Sequence, residues 1–204
     1  MAAAACVAGD SLAAIQRLPE ATAGRERRIV VQAGQMAALG GLPLRQLLRL
    51  AGAVPVEAGA GAACAADELG ALLAEGAAAA LCRWDGQGGH GLVDLAGFAW
   101  ACRQAGVPAL VVCEDAGCPL PALDAGATLV LLDPATLFGG PSAGLILGEA
   151  AAVGRCRLQE RGLGALFACP PATRAAVLAA VGHGAGDLAA GLALPDHWPQ
   201  GGAT

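Results

Sequence analysis

The sequence predicts an α/β protein with three layers, αβα, around a mostly parallel sheet. Short apolar runs typical of buried strands alternate with helical patterns at close spacing. Strands that alternate with helices form βαβ units, in which the sheet is parallel and covered on both faces. Hydrophobic residues make up 56% of the 204 residues, which is enough to bury such a sheet.

Six strands are predicted where apolar runs are too short for helices: Ile29–Gln32, Val54–Glu57, Ala77–Trp84, Val107–Cys113, Thr128–Leu132 and Gly144–Leu147. Helices are predicted from Asp10 or Ser11 to Leu18, at Leu44–Leu50, from an Asp67 cap to Glu75, and at Leu92–Ala105, Ala150–Glu160 and Pro171–Val181. Met1–Ala8 is expected to be the end of an alanine-rich helix. Glycine-rich loops are expected at Gly34–Pro43, Ala58–Ala63 and Asp85–Gly91, and an irregular segment at Pro119–Ala125.

The stretch from Ala127 to Gly148 reads as strand, tight loop, strand. Gly139, Gly140 and Pro141 favour a turn, because glycine accepts positive φ and proline fixes its own φ. The loop contains Thr136 and has no ionisable side chain after Asp133. In open parallel sheets, ligands bind beyond the carboxyl ends of the strands. The segments expected there are Gln32–Gln35, Glu57–Gly61, Trp84–His90, Glu114–Cys118 and Asp133–Gly140.

Charge, the length of the apolar runs and the cysteine pattern argue against several classes of function. Net charge is −5, and only Arg25, Arg27 and Arg28 form a basic cluster, so we expect no nucleic-acid partner. No apolar run approaches the roughly 20 residues of a membrane span, and no secretory signal is recognised, so we expect no membrane association. The eight cysteines are scattered and form no CxxC pair. We interpret them as buried, reduced thiols of a cytoplasmic protein, since disulfide frameworks belong mostly to small secreted chains.

The basic residues are all arginine, and the sequence contains no lysine, tyrosine or asparagine. A chain without lysine has no side-chain primary amine, so it cannot form a Schiff base with an aldehyde cofactor through a side chain.

Two further groups of residues could form a site. Cys113, Glu114, Asp115 and Cys118 could surround a metal, but their spacing fits no strong zinc pattern, so we predict no metal site. His90 could act as a general base or bind a phosphate, although a loop histidine is more often only solvated. The glycine-rich loop around it lacks the Gly-Lys-Ser/Thr ending of a Walker loop.

Four segments together resemble a known family. They are CVAGDSLAAIQRLPEATAGRERRIVVQAGQ, LRLAGAVPVEAG, EDAGCPLP and LFGGPSAGLILG. Their order and spacing over Ala3–Val181 resemble the large domain of fold-type-I pyridoxal-phosphate enzymes. The resemblance is to the selenocysteine synthase-like group, which contains L-seryl-tRNA(Sec) selenium transferase and D-glucosaminate-6-phosphate ammonia-lyase.

The resemblance implies a set of site residues. Asp115 matches the aspartate that pairs with the pyridine nitrogen of the cofactor, and Gln35 the residue that approaches its ring. Gly139 and Gly140 would line the site. The family lysine that binds the cofactor covalently precedes the Leu-Phe-Gly-Gly-Pro turn, and Thr136 stands at that position.

The resemblance also implies a domain organisation. Residues 1–182 would form an N-terminally truncated large domain without the phosphate-binding turn, followed by a loose tail at 183–204. We expect a degenerate member of the group that lacks its catalysis. The alternative is a pyridoxal-phosphate-dependent transferase or ammonia-lyase acting on a serine-derived or phosphorylated amino-sugar substrate. Its site would then be completed by a partner subunit, and a homo-oligomer or such a partner is expected in either case.

Overall fold

The computed structural model describes residues 3–8, 27–39, 42–86, 89–115, 119–158 and 168–184, and at positions 3–8, 134, 136 and 182–184 only the backbone. The helix predicted between residues 10 and 18 and most of the predicted tail lie outside these ranges. Within them, every helix is too short or too polar to cross a bilayer.

The fold is built on a seven-stranded sheet with the order β1-β9-β8-β7-β6-β2-β5. Five strands, β5, β2, β6, β7 and β8, are parallel, while β9 pairs antiparallel with both β8 and β1. A separate hairpin is formed by β3 and β4. The strands are β1 (Ala3–Ala8), β2 (Arg28–Gln32), β3 (Ala38–Leu39), β4 (Leu42–Pro43), β5 (Val54–Ala58), β6 (Ala79–Trp84), β7 (Ala109–Cys113), β8 (Leu129–Leu132) and β9 (Gly144–Glu149).

Helices cover both faces of this sheet. They are α1 (Leu44–Leu50), α2 (Ala66–Ala74), α3 (Leu95–Ala105), α4 (Pro119–Ala125), α5 (Pro134–Phe138), α6 (Ala150–Leu158) and α7 (Pro171–Gly184). On one face α2, α3, α4 and α7 bury a core that includes Leu69, Phe98 and Val177. On the other face α1 and α6 bury Leu47 and Val153. The predicted three-layer α/β architecture is confirmed.

The six strands predicted from apolar runs are all present, with boundaries within two residues. Because parallel strands are buried on both faces, they carry continuous apolar runs that the sequence displays directly. The predicted helices at α1, α2, α3, α6 and α7 are also present.

The prediction for Met1–Ala8 is wrong. The backbone of Ala3–Ala8 is the edge strand β1, which pairs with β9 from Ala3 opposite Glu149 to Ala8 opposite Gly144. Alanine has the highest helix propensity, but propensity is a weak prior that pairing with an available strand overrides. The family resemblance would place the start of the chain inside the helix that follows the family's phosphate-binding turn, and this placement is therefore wrong as well.

Other local predictions also need correction. Pro119–Ala125 is helical rather than irregular, and the loop after β8 contains the five-residue helix α5. The segment Gly34–Pro43 contains the β3–β4 hairpin. Asp67 does not cap α2; instead the Glu68 carboxylate accepts a 2.8 Å hydrogen bond from the Ala65 N–H.

Candidate functional site

The carboxyl ends of the five parallel strands meet at one edge of the sheet. Gln35 follows β2, Asp115 follows β7, and position 136 lies in α5 directly after β8. Gly139 and Gly140 lie between α5 and β9, whose antiparallel direction brings its first residue to the same edge. The topology therefore places all five predicted site residues at this edge, as the sequence led us to expect.

Asp115 lies against Gly86, the second residue after β6. A Cβ at position 86 would stand 3.3 Å from both Cγ and Oδ1 of Asp115. Gly86 has a φ of +87°, a conformation that residues with side chains rarely adopt. The glycine thus lets the β6 loop approach the carboxylate closely, and the sequence pattern DGQGGHG gave no signal of this contact.

Position 136 is held by a short helix with a side-chain cap. The Asp133 carboxylate accepts a 3.0 Å hydrogen bond from the Ala135 N–H, and the Asp133 carbonyl accepts one of 3.0 Å from Leu137. An aspartate that caps the first turn of a helix satisfies N–H groups that have no partner within the helix. The backbone at 136 is therefore ordered next to the end of β8.

The side-chain amide of Gln35 forms two hydrogen bonds with the main chain of Arg83. Its Oε1 accepts from the Arg83 N–H at 3.1 Å, and its Nε2 donates to the Arg83 carbonyl at 2.8 Å. The predicted contact between Gln35 and a cofactor ring is untested, but the polar atoms of this side chain already have protein partners.

Gln32 makes the same kind of contact with the other end of the β6–α3 loop. Its Oε1 accepts from the Val93 N–H at 2.8 Å, and its Nε2 donates to the Val93 carbonyl at 3.2 Å. Gln32 is fully buried, and it is the only buried polar residue of the described part of the chain. Two glutamines of one strand end therefore fix residues 83 and 93, which flank the glycine-rich loop. Sequence reasoning missed this pair, because neither partner lies near its glutamine in sequence.

The cysteines near this edge are not available as nucleophiles. Burial raises the pKa of the Cys82 thiol to about 12, so the thiol stays protonated near neutral pH. Cys113, the last residue of β7, is disulfide-bonded. The expectation of reduced thiols is therefore wrong at Cys113, although Cys64, Cys82, Cys102, Cys156 and Cys169 are free and buried.

The disulfide also removes Cys113 as a thiolate ligand for the metal considered above. Across the described residues, no three His, Cys, Asp or Glu side chains are grouped closely enough to hold a metal ion. His90 lies exposed in the loop after β6. A role for His90 as a base or phosphate ligand stays untested.

No protein-family model matches the chain. A curated relative, a 5′-C-glycyluridine monooxygenase-decarboxylase from a Streptomyces species, is 31% identical over 167 residues, which cover 80% of this chain and 41% of the relative. The chain thus spans about two-fifths of the length of that relative.

Solved structures match over most of the chain. A D-glucosaminate-6-phosphate ammonia-lyase aligns with a TM-score of 0.76 and 19% identity, covering 88% of this chain and 53% of the lyase. The pyridoxal-5′-phosphate-dependent protein YhfS from Escherichia coli aligns with a TM-score of 0.69 and 21% identity, covering 90% and 49%. The methionine gamma lyase CalE6 from Micromonospora echinospora aligns with a TM-score of 0.64 and 19% identity, covering 87% and 47%.

The chain has the fold of fold-type-I pyridoxal-phosphate enzymes. The resemblance found in the sequence is confirmed at this level, and it supports pyridoxal phosphate as the cofactor that belongs to the fold. The identities are too low to carry over an activity, and the chain spans only about half the length of each of these structures.

The residues of this chain fit pyridoxal phosphate only in part. Asp115 supplies a carboxylate at the expected strand end, where it could pair with a protonated ring nitrogen. The covalent attachment has no counterpart, because position 136 is threonine and no other residue of the sequence is lysine. A threonine hydroxyl cannot form a Schiff base with an aldehyde. The donor set of this chain therefore does not match the covalently bound cofactor.

Proposed function

We propose that this chain is a degenerate fold-type-I domain that does not perform covalent pyridoxal-phosphate chemistry with its own side chains. The observation that carries the proposal is the threonine at position 136 in a sequence without lysine. The fold supplies the strand end at which the family lysine would stand, and this chain has no amine to place there.

Without the lysine, we expect a large loss of catalytic rate. An activated covalent nucleophile divides one difficult step into two easier ones, and each tenfold loss of rate corresponds to about 1.4 kcal/mol of barrier. The Asp115 carboxylate would still be able to pair with the pyridine nitrogen of the cofactor. One ionic contact of this kind supplies binding but no covalent chemistry.

Borohydride trapping tests the proposal. The protein is mixed with pyridoxal 5′-phosphate, reduced with borohydride and mapped by peptide mass spectrometry. We expect no adduct on any side chain, and modification of the α-amino group alone is disregarded. The control variant Thr136→Lys is expected to give a reducible adduct at position 136. A side-chain adduct on the unmodified protein would overturn the proposal.

A second candidate function is favoured by the similarity to the ammonia-lyase structure, which has a TM-score of 0.76. In this alternative the chain is part of a pyridoxal-phosphate-dependent transferase or lyase acting on a serine-derived or phosphorylated amino-sugar substrate. Asp115, Gln35, Gly139 and Gly140 would belong to the site, and a partner subunit would supply the missing lysine.

An ammonia-release assay separates this alternative from the first proposal. D-glucosaminate 6-phosphate and O-phosphoserine are incubated with pyridoxal phosphate and protein purified with any bound partner from its native source. Ammonia release that is seen with the unmodified protein and lost in the variant Asp115→Asn would support the alternative. No release at high protein and cofactor concentration would count against it.

We also propose that the chain self-associates or binds a partner subunit. Trp100 of α3 is 56% exposed and Val54 of the edge strand β5 is 57% exposed. Large apolar side chains at the surface are common at interfaces, though single ones are also ordinary. Light scattering tests the proposal, and a compact, monodisperse monomer would contradict it.

A further inference from the structure

Arg83 is hydrogen-bonded to the segments that follow both strands flanking its own. It is the penultimate residue of β6, and β6 lies between β2 and β7. The guanidinium donates from Nε to the Glu114 carboxylate at 2.9 Å, and its Nη2 contacts the same oxygen. Its Nη1 donates to the Ala37 carbonyl at 3.2 Å. The main chain of Arg83 meanwhile holds both polar groups of the Gln35 amide.

Among the ion pairs seen between described residues, the Arg83–Glu114 pair has the least exposed arginine. The side chain of Arg83 is 16% exposed and that of Glu114 is 33% exposed. In the Arg45–Glu57 pair the corresponding values are 40% and 37%. Exposed ion pairs contribute little, whereas charge-assisted hydrogen bonds donated by a largely buried guanidinium hold their geometry more firmly. The Arg83–Glu114 pair is therefore suited to fixing the relative position of two strand ends.

Glu114 connects this pair to Asp115, the next residue. The Glu114 N–H donates to the Trp84 carbonyl at 2.8 Å, so the main chain after β7 is bonded to the end of β6. On the β6 side, Gly86 lies against the Asp115 carboxylate. The segment that carries Asp115 is thus held by a side chain, a main-chain bond and a close backbone approach.

We propose that Gln35, Arg83 and Glu114 form a tie across the carboxyl ends of β2, β6 and β7 that positions the Asp115 carboxylate. The three are positioning residues: Gln35 fixes the backbone of Arg83, Arg83 fixes Glu114, and Glu114 sets the direction in which the chain leaves β7 toward Asp115. This inference deepens the proposed function by naming what holds its remaining acidic contact in place, and it needs no covalent cofactor.

Two substitutions, with a third as control, test the tie. Arg83→Met removes the guanidinium but keeps most of the apolar stem, and Glu114→Gln removes the charge at an unchanged size. Arg45→Met is the matched control, because it breaks the Arg45–Glu57 pair between α1 and β5, away from Asp115. All variants are first compared with the unmodified chain by circular dichroism, and Glu114→Gln decides the outcome if Arg83→Met does not fold.

The readouts are the ¹³C chemical shift of the Asp115 side-chain carboxyl group and the hydrogen-exchange rate of the Glu114 N–H. In Arg83→Met and Glu114→Gln we expect a shift of the Asp115 resonance and at least tenfold faster exchange, with neither change in Arg45→Met. Pyridoxine 5′-phosphate, which has no aldehyde, serves as the ligand probe, and where the unmodified chain binds it, its affinity should fall at least fivefold in the same two variants.

The double variant Arg83→Met with Glu114→Gln should change the Asp115 resonance no more than either single variant, because the two residues act through one contact. Additive changes, or an Asp115 resonance unaffected by both single variants, would overturn the tie. These outcomes are independent of borohydride trapping, so failure of the tie and failure of the proposed function are distinguishable.

Discussion

Gly148 of β9 lies opposite Leu129 of β8, where there is no room for a side chain. A Cβ at this position would lie 2.2 Å from the Thr128 carbonyl oxygen and 3.0 Å from the Leu129 Cα. Both neighbours are backbone atoms at the start of β8, and the Thr128 carbonyl accepts a hydrogen bond from the Glu149 N–H, so neither can move without disturbing the pairing. A side chain of any size is therefore excluded here, whereas the sequence shows only one more glycine among 31.

Gly148→Ala is expected to lower the free energy of unfolding by about 3 kcal/mol, because overpacking against a fixed backbone costs about 1–3 kcal/mol and the φ of 148° adds strain. Gly70→Ala is the control. Gly70 lies in α2 with nothing within 4 Å of the added Cβ, so this change should stabilise the protein by about 0.5–1 kcal/mol. Urea unfolding of both variants checks the prediction, and equal effects would contradict it.

Gln32 is a second residue whose importance depends on its partner. Gln32→Leu keeps the volume but leaves the N–H and carbonyl of Val93 without their partner. An orphaned buried polar group costs about 1–3 kcal/mol, and because Val93 is only half-buried we expect a total loss of about 1–3 kcal/mol. Gln46→Leu on the exposed side of α1 should change stability by less than about 0.5 kcal/mol. Denaturant melts of the two variants measure the difference, and a small effect at Gln32 would refute it.

Helix α3 depends on its first turn. The Asp94 carboxylate accepts a 2.7 Å hydrogen bond from the Gly97 N–H, so Asp94→Ala should cost about 1 kcal/mol. Asp67 was predicted to cap α2, but it lies exposed in the first turn and Glu68 makes the terminal bond instead. Asp67→Ala should therefore cost only a few tenths of a kcal/mol, from the helix dipole. Thermal unfolding distinguishes the two, and the opposite order of losses would show that the capping assignment is wrong.

Helix α4 shows why a local pattern can mislead at the scale of one element. Pro119 and Pro121 suggested an irregular segment, because proline in a helix interior removes a hydrogen bond. Both lie in the first turn of α4, where backbone N–H groups have no partner within the helix in any case. The same prolines that argue against a helix interior are therefore compatible with a helix start.

The alkaline titration of the whole molecule should be dominated by thiols. Burial raises the pKa of both Cys82 and Cys102 from 9.0 to about 12. Without lysine or tyrosine, no other common side chain titrates in this interval. In the unfolded chain the thiols ionise from about pH 9, whereas in the folded chain they keep their protons, so folding loses stability as pH rises.

Each such thiol should contribute a slope of about 1.4 kcal/mol per pH unit between pH 9 and 12, or about 2.7 kcal/mol for the two together. Unfolding measured by fluorescence across this interval tests the prediction. Cys102→Ala should lower the slope by about 1.4 kcal/mol per pH unit. A stability that stays constant up to pH 11 would contradict the assigned burial of these thiols.

Much of the architecture could be predicted because buried parallel strands are recognisable in the sequence as continuous apolar runs. The runs at β7 and β8 are apolar throughout, since both faces of each strand are covered. The alanine-rich β1 carries no such signal, and its pairing with β9 joins positions more than a hundred residues apart. The placement of Asp115 and position 136 at one edge followed from strand order alone. The contacts of Asp115 with Gly86, and of Arg83 with Gln35 and Glu114, could not be anticipated.

What the sequence determined by itself is therefore composition and local order: an alternation of strands and helices, and the absence of any side-chain amine at position 136 or elsewhere. An absent residue type is absent in every fold, so no structure was needed for that conclusion. Only the tertiary structure decided which glutamine amides are engaged, which glycines admit a neighbouring backbone, and how three strand ends meet around Arg83. Those are contacts between residues distant in the chain, and their energies depend on distances that exist only once the sheet has formed.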